Sequence, residues 1–168
     1  MNKNYVLAAV IAVIVVVLVL YLASNSLSPT VQNGDNVSVF YTGSFTNGTI
    51  FNSNLNSSPF TFKVGANQTI MGFNNAVLGM HLNQTKTLTI PVNEAYGPIN
   101  PSLIIAIPLS NFKNQSVKMG DVITDSQNGR ALQGIVIALN NTTATTNFNP
   151  PLAGQALTFT IRVVKISK

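Results

Sequence analysis

The chain has 168 residues, and subtracting the strongly apolar first 23 leaves 145, enough for one ordinary domain or two small ones and too few for a large multidomain enzyme. Nine Lys and Arg against four Asp and Glu give a net charge of +5, but the positive charges are scattered singly, with no basic stripe and no basic run interleaved with aromatics, so nucleic acid is not an expected partner. Cysteine is absent, which excludes disulfides, thiolate nucleophiles and zinc–cysteine clusters together.

The first predicted element is the run Tyr5 to Ala23, whose 19 uncharged residues would cover about 28 Å as a helix, close to the hydrocarbon thickness of a bilayer. It is expected to be a retained transmembrane signal anchor, because the apolar core of a cleaved signal peptide is shorter, about 7 to 15 residues. Lys3 is the only charged side chain before it and no Lys or Arg follows until Lys63. The positive-inside bias then predicts a single-pass protein of the cell membrane with a cytoplasmic N-terminus and extracytoplasmic folded domains. Asn-x-Ser/Thr triplets begin at Asn36, Asn47, Asn56, Asn67, Asn83, Asn114, Asn140 and Asn141, as such a protein carries. Residues 24 to 33 are rich in turn formers and read as a linker.

From residue 34 the chain turns strand-like. In NVSVFYTG, Val37, Val39 and Tyr41 alternate with Asn36, Ser38 and Phe40, and Gly43 is expected to close the strand. Asn47 and Gly48 are the strongest local turn signal, followed by the loop NSNLNSS and by PFTFKVG with Phe60, Phe62 and Val64 on one face. IMGFNNAVLGM, residues 70 to 80, is the good helix candidate: Phe73, Ala76 and Val77 fall at i, i+3 and i+4, and Gly79 supplies a left-handed cap. Strands are predicted again at 85 to 92 and 156 to 166. A short helix with one apolar side needs a sheet to bury that side, so the expected fold class is α+β, a curved antiparallel sheet wrapped on one short helix.

Residues 98 to 148 interrupt this plan. An apolar burst from Leu103 to Ile107 is followed by VKMGDVIT, by ALQGIVIAL after a hairpin at Gly129, and by the polar stretch NNTTATTN. These residues fall between strands that the first module needs, so they read as a small, mostly β inserted domain. The domain plan is thus an anchor at 1–23, a linker at 24–33, a first domain split between 34–97 and 149–168, and the insert at 98–148.

Conventional catalytic motifs are missing. His81 stands alone in LGMHLNQT, the four acids Asp35, Glu94, Asp121 and Asp125 form no pair, and no Gly-rich phosphate loop occurs, so neither a metal nor a cofactor is expected. Charged residues make up 8% of the chain, whereas 22 Asn, 16 Thr and 13 Ser supply the surface, a coat whose wetting changes little with pH. What remains conspicuous is a set of apolar side chains: Tyr41, Phe51, Phe60, Phe62, Ile70, Phe73, Tyr96 and Phe159. Most could be plain core. Tyr96, in NEAYGP where the strand has ended, is placed to offer its hydroxyl to a ligand.

The segments GDNVSVFYTG, NGTIFNSN, PFTFKVG, IMGFNNAVLGM, KTLTIPVNEAYG and PLAGQALTFTIRVVKI, in that order, resemble the FK506-binding type of peptidyl-prolyl cis-trans isomerase. The length between AYG and NPPLAGQALTF, together with VKMGD, resembles the SlyD-like subgroup, in which a chaperone domain is inserted in the flap. The resemblance implies a prolyl pocket lined by Tyr41, Phe51, Asn52, Phe62, Thr69, Ile70, Phe73, Tyr96 and Phe159, with Phe60 on the rim and Phe73 as floor. Asn52 stands where the family usually has Asp, which removes a charge. The insert, through Leu103, Ile104, Ile105 and Ile107, would hold apolar polypeptide segments. The implied function is isomerisation of X-Pro bonds in unfolded or partly folded polypeptides at the extracytoplasmic membrane face, by a monomer. A chaperone or peptide-binding module with weak or no isomerase activity is the alternative, and an adhesive or envelope-structural protein a third.

Overall fold

A computed structural model describes residues 11–21, 29–112, 116–127 and 130–168. By contacts the chain divides into two compact units, Met1–Leu88 with Thr158–Lys168, and Thr89–Leu157.

The first unit begins with helix α1, residues 11–21, whose side chains are exposed. Among the described residues no helix is long and apolar enough to cross a membrane. Residues 5–10 and 22–23 of the predicted span lie outside the described residues. This overturns the expected transmembrane anchor, and with it the single-pass cell-membrane topology, the extracytoplasmic placement and the membrane contact that depend on it. Hydropathy reports composition, which is apolar throughout the run, and composition alone does not establish a helix that crosses.

The sheet of this unit is formed by β1 (Asn36–Phe45), β2 (Ile50–Ser53), β3 (Phe60–Lys63), β4 (Thr85–Ile90) and β9 (Leu157–Ser167), in the order β2-β1-β9-β4, with β3 also pairing with β1. Alternation along β1 and β9 decides which side chains face inward: Val37, Val39, Phe159, Ile161 and Val163 are each no more than 6% exposed. Helix α2 (Met71–Val77) buries Phe73, Ala76 and Val77, the stripe predicted from its spacing, together with Gly72. Gly79, at φ +74, turns the chain out of it in the left-handed region that favours glycine. The fold is thus the expected α+β arrangement of antiparallel sheet and short helix, with no membrane-spanning helix among the described residues. Thr30 and Val31, in the stretch read as a linker, take part in it: Thr30 bridges His81, and Val31 is buried and exchanges backbone hydrogen bonds with Gly79 and Met80. Residues 22–28 lie outside the described residues.

The second unit holds an antiparallel sheet of β5 (Ile104–Pro108), β6 (Val122–Gln127), β7 (Arg130–Leu139) and β8 (Thr143–Asn147) in the order β5-β8-β7-β6. The hairpin residues 128–129 lie outside the described residues. Strand β8 comes from NNTTATTN, which reads as a polar stretch but folds as a strand because Ala144 and Thr146 are fully buried between β5 and β7. Threonine is β-branched and favours extended backbone, and that preference prevails here over its hydroxyl. At the base of the unit, Asn149 is 8% exposed. Its Oδ1 accepts from the Asn100 N–H at 2.8 Å and its Nδ2 donates to the Asn100 carbonyl at 3.0 Å. One side-chain amide thus ties the entering and leaving chain together.

Candidate active site

Strand β1 sets Tyr41 at the centre of a ring network in the first unit. Its ring meets Phe73 edge-on at 5.6 Å between centroids, Phe60 at 6.2 Å and Phe159 at 6.1 Å. Phe73 also meets Phe159 at 5.3 Å and Phe62 at 5.8 Å, and Phe51 meets Phe159 at 5.9 Å. Most of these are edge-to-face or tilted contacts, the geometry the ring quadrupole favours, each contributing about 0.5–1.5 kcal/mol beyond burial. Phe60 and Phe62, two apart on β3, stack at 5.4 Å. Exposure is graded across the network. Phe62, Phe73 and Phe159 are buried, Tyr41 and Phe51 half-buried, and Phe60 is 37% exposed, so the network has a closed floor and a rim that meets water.

Local hydrogen bonds hold the elements that carry these rings. Gly65 donates its N–H to Asn74 Oδ1 at 2.7 Å and Lys63 donates its N–H to Gln68 Oε1 at 2.8 Å, so two amides shape the passage from β3 into α2 and hence the position of Phe73. Ile70 is the N-cap of α2, half-buried and extended, and its carbonyl accepts from the N–H of Phe73. Thr69 beside it is half-buried, and its hydroxyl has no hydrogen-bond partner among the described residues.

Two features of the network are not evident in the sequence. Gly43 does not end β1, which runs on to Phe45; a Cβ there would lie 2.7 Å from Phe51 Cζ and 2.9 Å from Phe159 Cε1. Both rings therefore close over bare backbone at that point. Phe45 extends the network by meeting Phe51 at 5.3 Å. The only clue was a glycine flanked by strand residues where it could equally have been a terminator.

The polar partner of the network is Asn52, which is exposed and accepts a hydrogen bond from the Tyr41 hydroxyl at 2.9 Å. Tyr41, Phe51, Asn52, Phe60, Phe62, Phe73 and Phe159 are thus brought together, with Ile70 and Thr69 adjoining Phe73 in the chain. Tyr96, Leu103, Ile104, Ile105 and Ile107 belong to the second unit. Tyr96 there is 44% exposed, in a turn where the Gly97 N–H donates to the Val92 carbonyl at 2.9 Å. Leu103, Ile104, Ile105 and Ile107 are half-buried. An open groove of about 470 Å³ lies between β5, residues 105–108, and β6, residues 122–124, floored in part by Asn111 and Phe112. β5 and β6 are the two end strands of their sheet, so each has one side without a strand partner among the described residues.

A network of rings with one neutral hydrogen-bonded pair has no nucleophile and no acid–base couple. Its chemistry is confined to binding an apolar group and biasing its conformation, which suits an enzyme that rearranges substrates without breaking covalent bonds. The family model for FKBP-type peptidyl-prolyl cis-trans isomerase matches residues 28–164. The chain is 35% identical over 121 residues to the probable FKBP-type 16 kDa peptidyl-prolyl cis-trans isomerase of Pseudomonas fluorescens, covering 71% of this chain and 81% of that protein. It is 35% identical over 105 residues to the short-type peptidyl-prolyl cis-trans isomerase of Methanocaldococcus jannaschii, covering 62% of this chain and 66% of that protein. The SlyD isomerase of Helicobacter pylori is 28% identical over 116 residues, covering 68% of this chain and 63% of that protein.

The chain therefore belongs to the FKBP-type peptidyl-prolyl cis-trans isomerase family and is an enzyme of that type. The expected SlyD-like, membrane-anchored subgroup is corrected to the family as a whole: identity to SlyD is lower than to the Pseudomonas protein, and the anchor is not found among the described residues.

Proposed function

We propose that the substrates are X-Pro bonds in unfolded or partly folded polypeptides and that the proline ring is held by the network around Tyr41. The observation that carries this reading is the convergence of Tyr41, Phe51, Phe60, Phe62, Phe73 and Phe159 in one unit, closed at Phe73 and open at Phe60. Turning an X-Pro bond costs amide resonance, a barrier near 20 kcal/mol. The planar amide is more charge-separated than the twisted one, so apolar surroundings disfavour the ground state relative to the transition state. Phe73, Ile70, Phe62 and Phe159 hold the ring in this reading, Phe51 and Asn52 border it, and Phe60 and Thr69 meet the flanking chain. The Tyr41 hydroxyl is committed to Asn52. Phe73→Leu, which retains apolar volume but removes the ring, is expected to lower kcat/KM on a short X-Pro peptide at least tenfold, about 1.4 kcal/mol of lost transition-state binding. An unchanged rate in a folded variant would place the site elsewhere.

The groove between β5 and β6 favours a second activity: capture of apolar chain segments by the unit that includes Leu103, Ile104, Ile105 and Ile107. Two strand sides without partners offer backbone groups to an extended chain, and the isoleucines offer apolar contact. Replacing residues 99–147 by a short loop is expected to leave turnover of a short peptide within about twofold while reducing assistance to a refolding protein by about tenfold, or about 1.4 kcal/mol. Equal loss on both substrates would make that unit structural support only.

A further inference from the structure

The edge of β1 changes partners midway. Residues 36–39 pair with β3 and residues 42–44 with β2, and the connection 54–59 leaves Phe40 and Tyr41 without a strand on that edge. In a strand, the carbonyl of one residue and the N–H two residues later face the same side, so the Val39 carbonyl and the Tyr41 N–H both face this gap.

Asn54 fills it. The residue is 9% exposed, in a loop whose other asparagine, Asn56, is exposed. Its Oδ1 accepts from the Tyr41 N–H at 2.7 Å, and its Nδ2 donates to the carbonyls of Val39 at 3.1 Å and Ser58 at 3.3 Å. The Asn54 backbone N–H donates to the Tyr41 carbonyl at 3.2 Å, an acceptor it shares with the Ser53 hydroxyl at 3.2 Å, so both main-chain groups of Tyr41 are bonded to this one residue. Only an amide suits the gap, which needs an acceptor and a donor side by side. A carboxylate lacks the donor and faces two carbonyls, a serine hydroxyl is too short to span both groups, and an aliphatic side chain leaves them unpaired.

Tyr41 is also the residue whose ring touches Phe60, Phe73 and Phe159 and whose hydroxyl donates to Asn52. We propose that Asn54 is a positioning residue for the isomerase reaction: by clamping the backbone of Tyr41 it fixes the ring and hydroxyl that border the substrate. This rests on the reading of the ring network as the prolyl site. A displacement of about 1 Å in a positioning group can cost up to about 10²-fold in rate, so a clamp on the Tyr41 backbone reaches the chemistry without touching substrate.

The test uses the full chain with Asn54→Asp and Asn54→Ala, following kcat/KM on a short X-Pro peptide from about pH 3 to 7, the folded fraction at every pH, and the NMR signals of the Asn52 side-chain amide. The groups bonded to Asn54 come from Val39, Tyr41, Ser57 and Ser58, so the only titratable side chain among them is the Tyr41 phenol, itself donating to Asn52. In Asn54→Asp the introduced carboxyl keeps acceptor and donor while protonated and loses the donor on ionising. Burial against two carbonyls disfavours its charged form, so its midpoint is expected above the ordinary value near 4, with rates near wild type below it and at least tenfold lower by about pH 7. Asn54→Ala is expected to lose at least tenfold at every pH and to shift the Asn52 amide signals. If the Ala variant does not fold, the change in rate of the isosteric Asp variant across its titration carries the test. A flat Asp profile at wild-type rate with unmoved Asn52 signals would overturn the proposal, as would a loss of rate that merely tracks the folded fraction. Phe73→Leu separates the two readings: if it loses rate while Asn54→Asp stays flat, only the role of Asn54 falls, whereas if it keeps its rate, the site itself is misassigned.

Discussion

The two units solve the same packing problem with different side chains. In each, a strand glycine lets neighbours close onto bare backbone. A Cβ on Gly43 would meet Phe51 and Phe159 at 2.7 and 2.9 Å, and one on Gly134 would meet Phe148 and Thr146 at 2.6 and 2.7 Å. Around Gly43 the result is a connected set of aromatic rings with one neutral polar pair, Tyr41 and Asn52. Around Gly134 the core is Val136, Ala144, Thr146 and Phe148, and the groove of that unit lies between end strands instead of rings. Rings suit a compact cyclic side chain, and strand edges suit an extended backbone. On this contrast rests our proposal of proline for the first unit and chain capture for the second.

The largest expected effect comes from filling these glycines one at a time. Gly43→Ala must push Phe51 and Phe159 apart, an overpacking cost of about 1–3 kcal/mol, and is expected to lower peptide isomerisation more than tenfold. Gly134→Ala imposes a similar strain on Phe148 and Thr146, and is expected to impair assistance to a refolding protein while leaving short-peptide turnover within about twofold. Peptide assays and refolding assays on both variants, with folding checked by thermal melts, would break the comparison if the two losses were interchanged or identical.

The effect expected at Asn52 is smaller and sharpens the description of the first unit. The amide keeps the same donors and acceptors at every pH, so the wild-type rate is expected to be nearly flat from about pH 3 to 7 while the domain stays folded. Asn52→Asp introduces a carboxyl next to the Tyr41 hydroxyl. Its ionised form is the better acceptor of that hydrogen bond, which favours the charged form and lowers its midpoint below the ordinary value near 4. Activity is then expected to be higher above that midpoint and to fall as pH drops through it. A matching inflection in both proteins would rule out position 52 as its origin.

Much of the first unit was legible because its residues obey simple periods. Val37 and Val39 alternate on β1, and Phe73, Ala76 and Val77 recur at helical spacing on α2. The singled-out rings of Tyr41, Phe51, Phe60, Phe62, Phe73 and Phe159 do meet, although spacing alone could not say that they meet one another instead of separate parts of the core. Asn54 was not legible, because a buried amide that replaces a missing strand partner looks like any other asparagine of NSNLNSS until the gap in pairing is seen. β8 was hidden by its threonines for a similar reason, since the burial of Thr146 depends on its neighbours in the sheet. The apolar run at the N-terminus misled in the opposite direction: its composition is plain, but no helix among the described residues is long and apolar enough to cross a membrane.

The most direct measurement is an NMR titration of the full chain with a short X-Pro peptide, recording which residues respond and whether cis and trans peptide signals exchange faster. The expected result is faster exchange together with perturbations at Tyr41, Phe60, Phe73 and Phe159, both lost in Phe73→Leu. Faster exchange with perturbations confined to residues 105–108 and 122–124, and the aromatic signals of the first unit unmoved, would contradict the assignment of proline to the ring network.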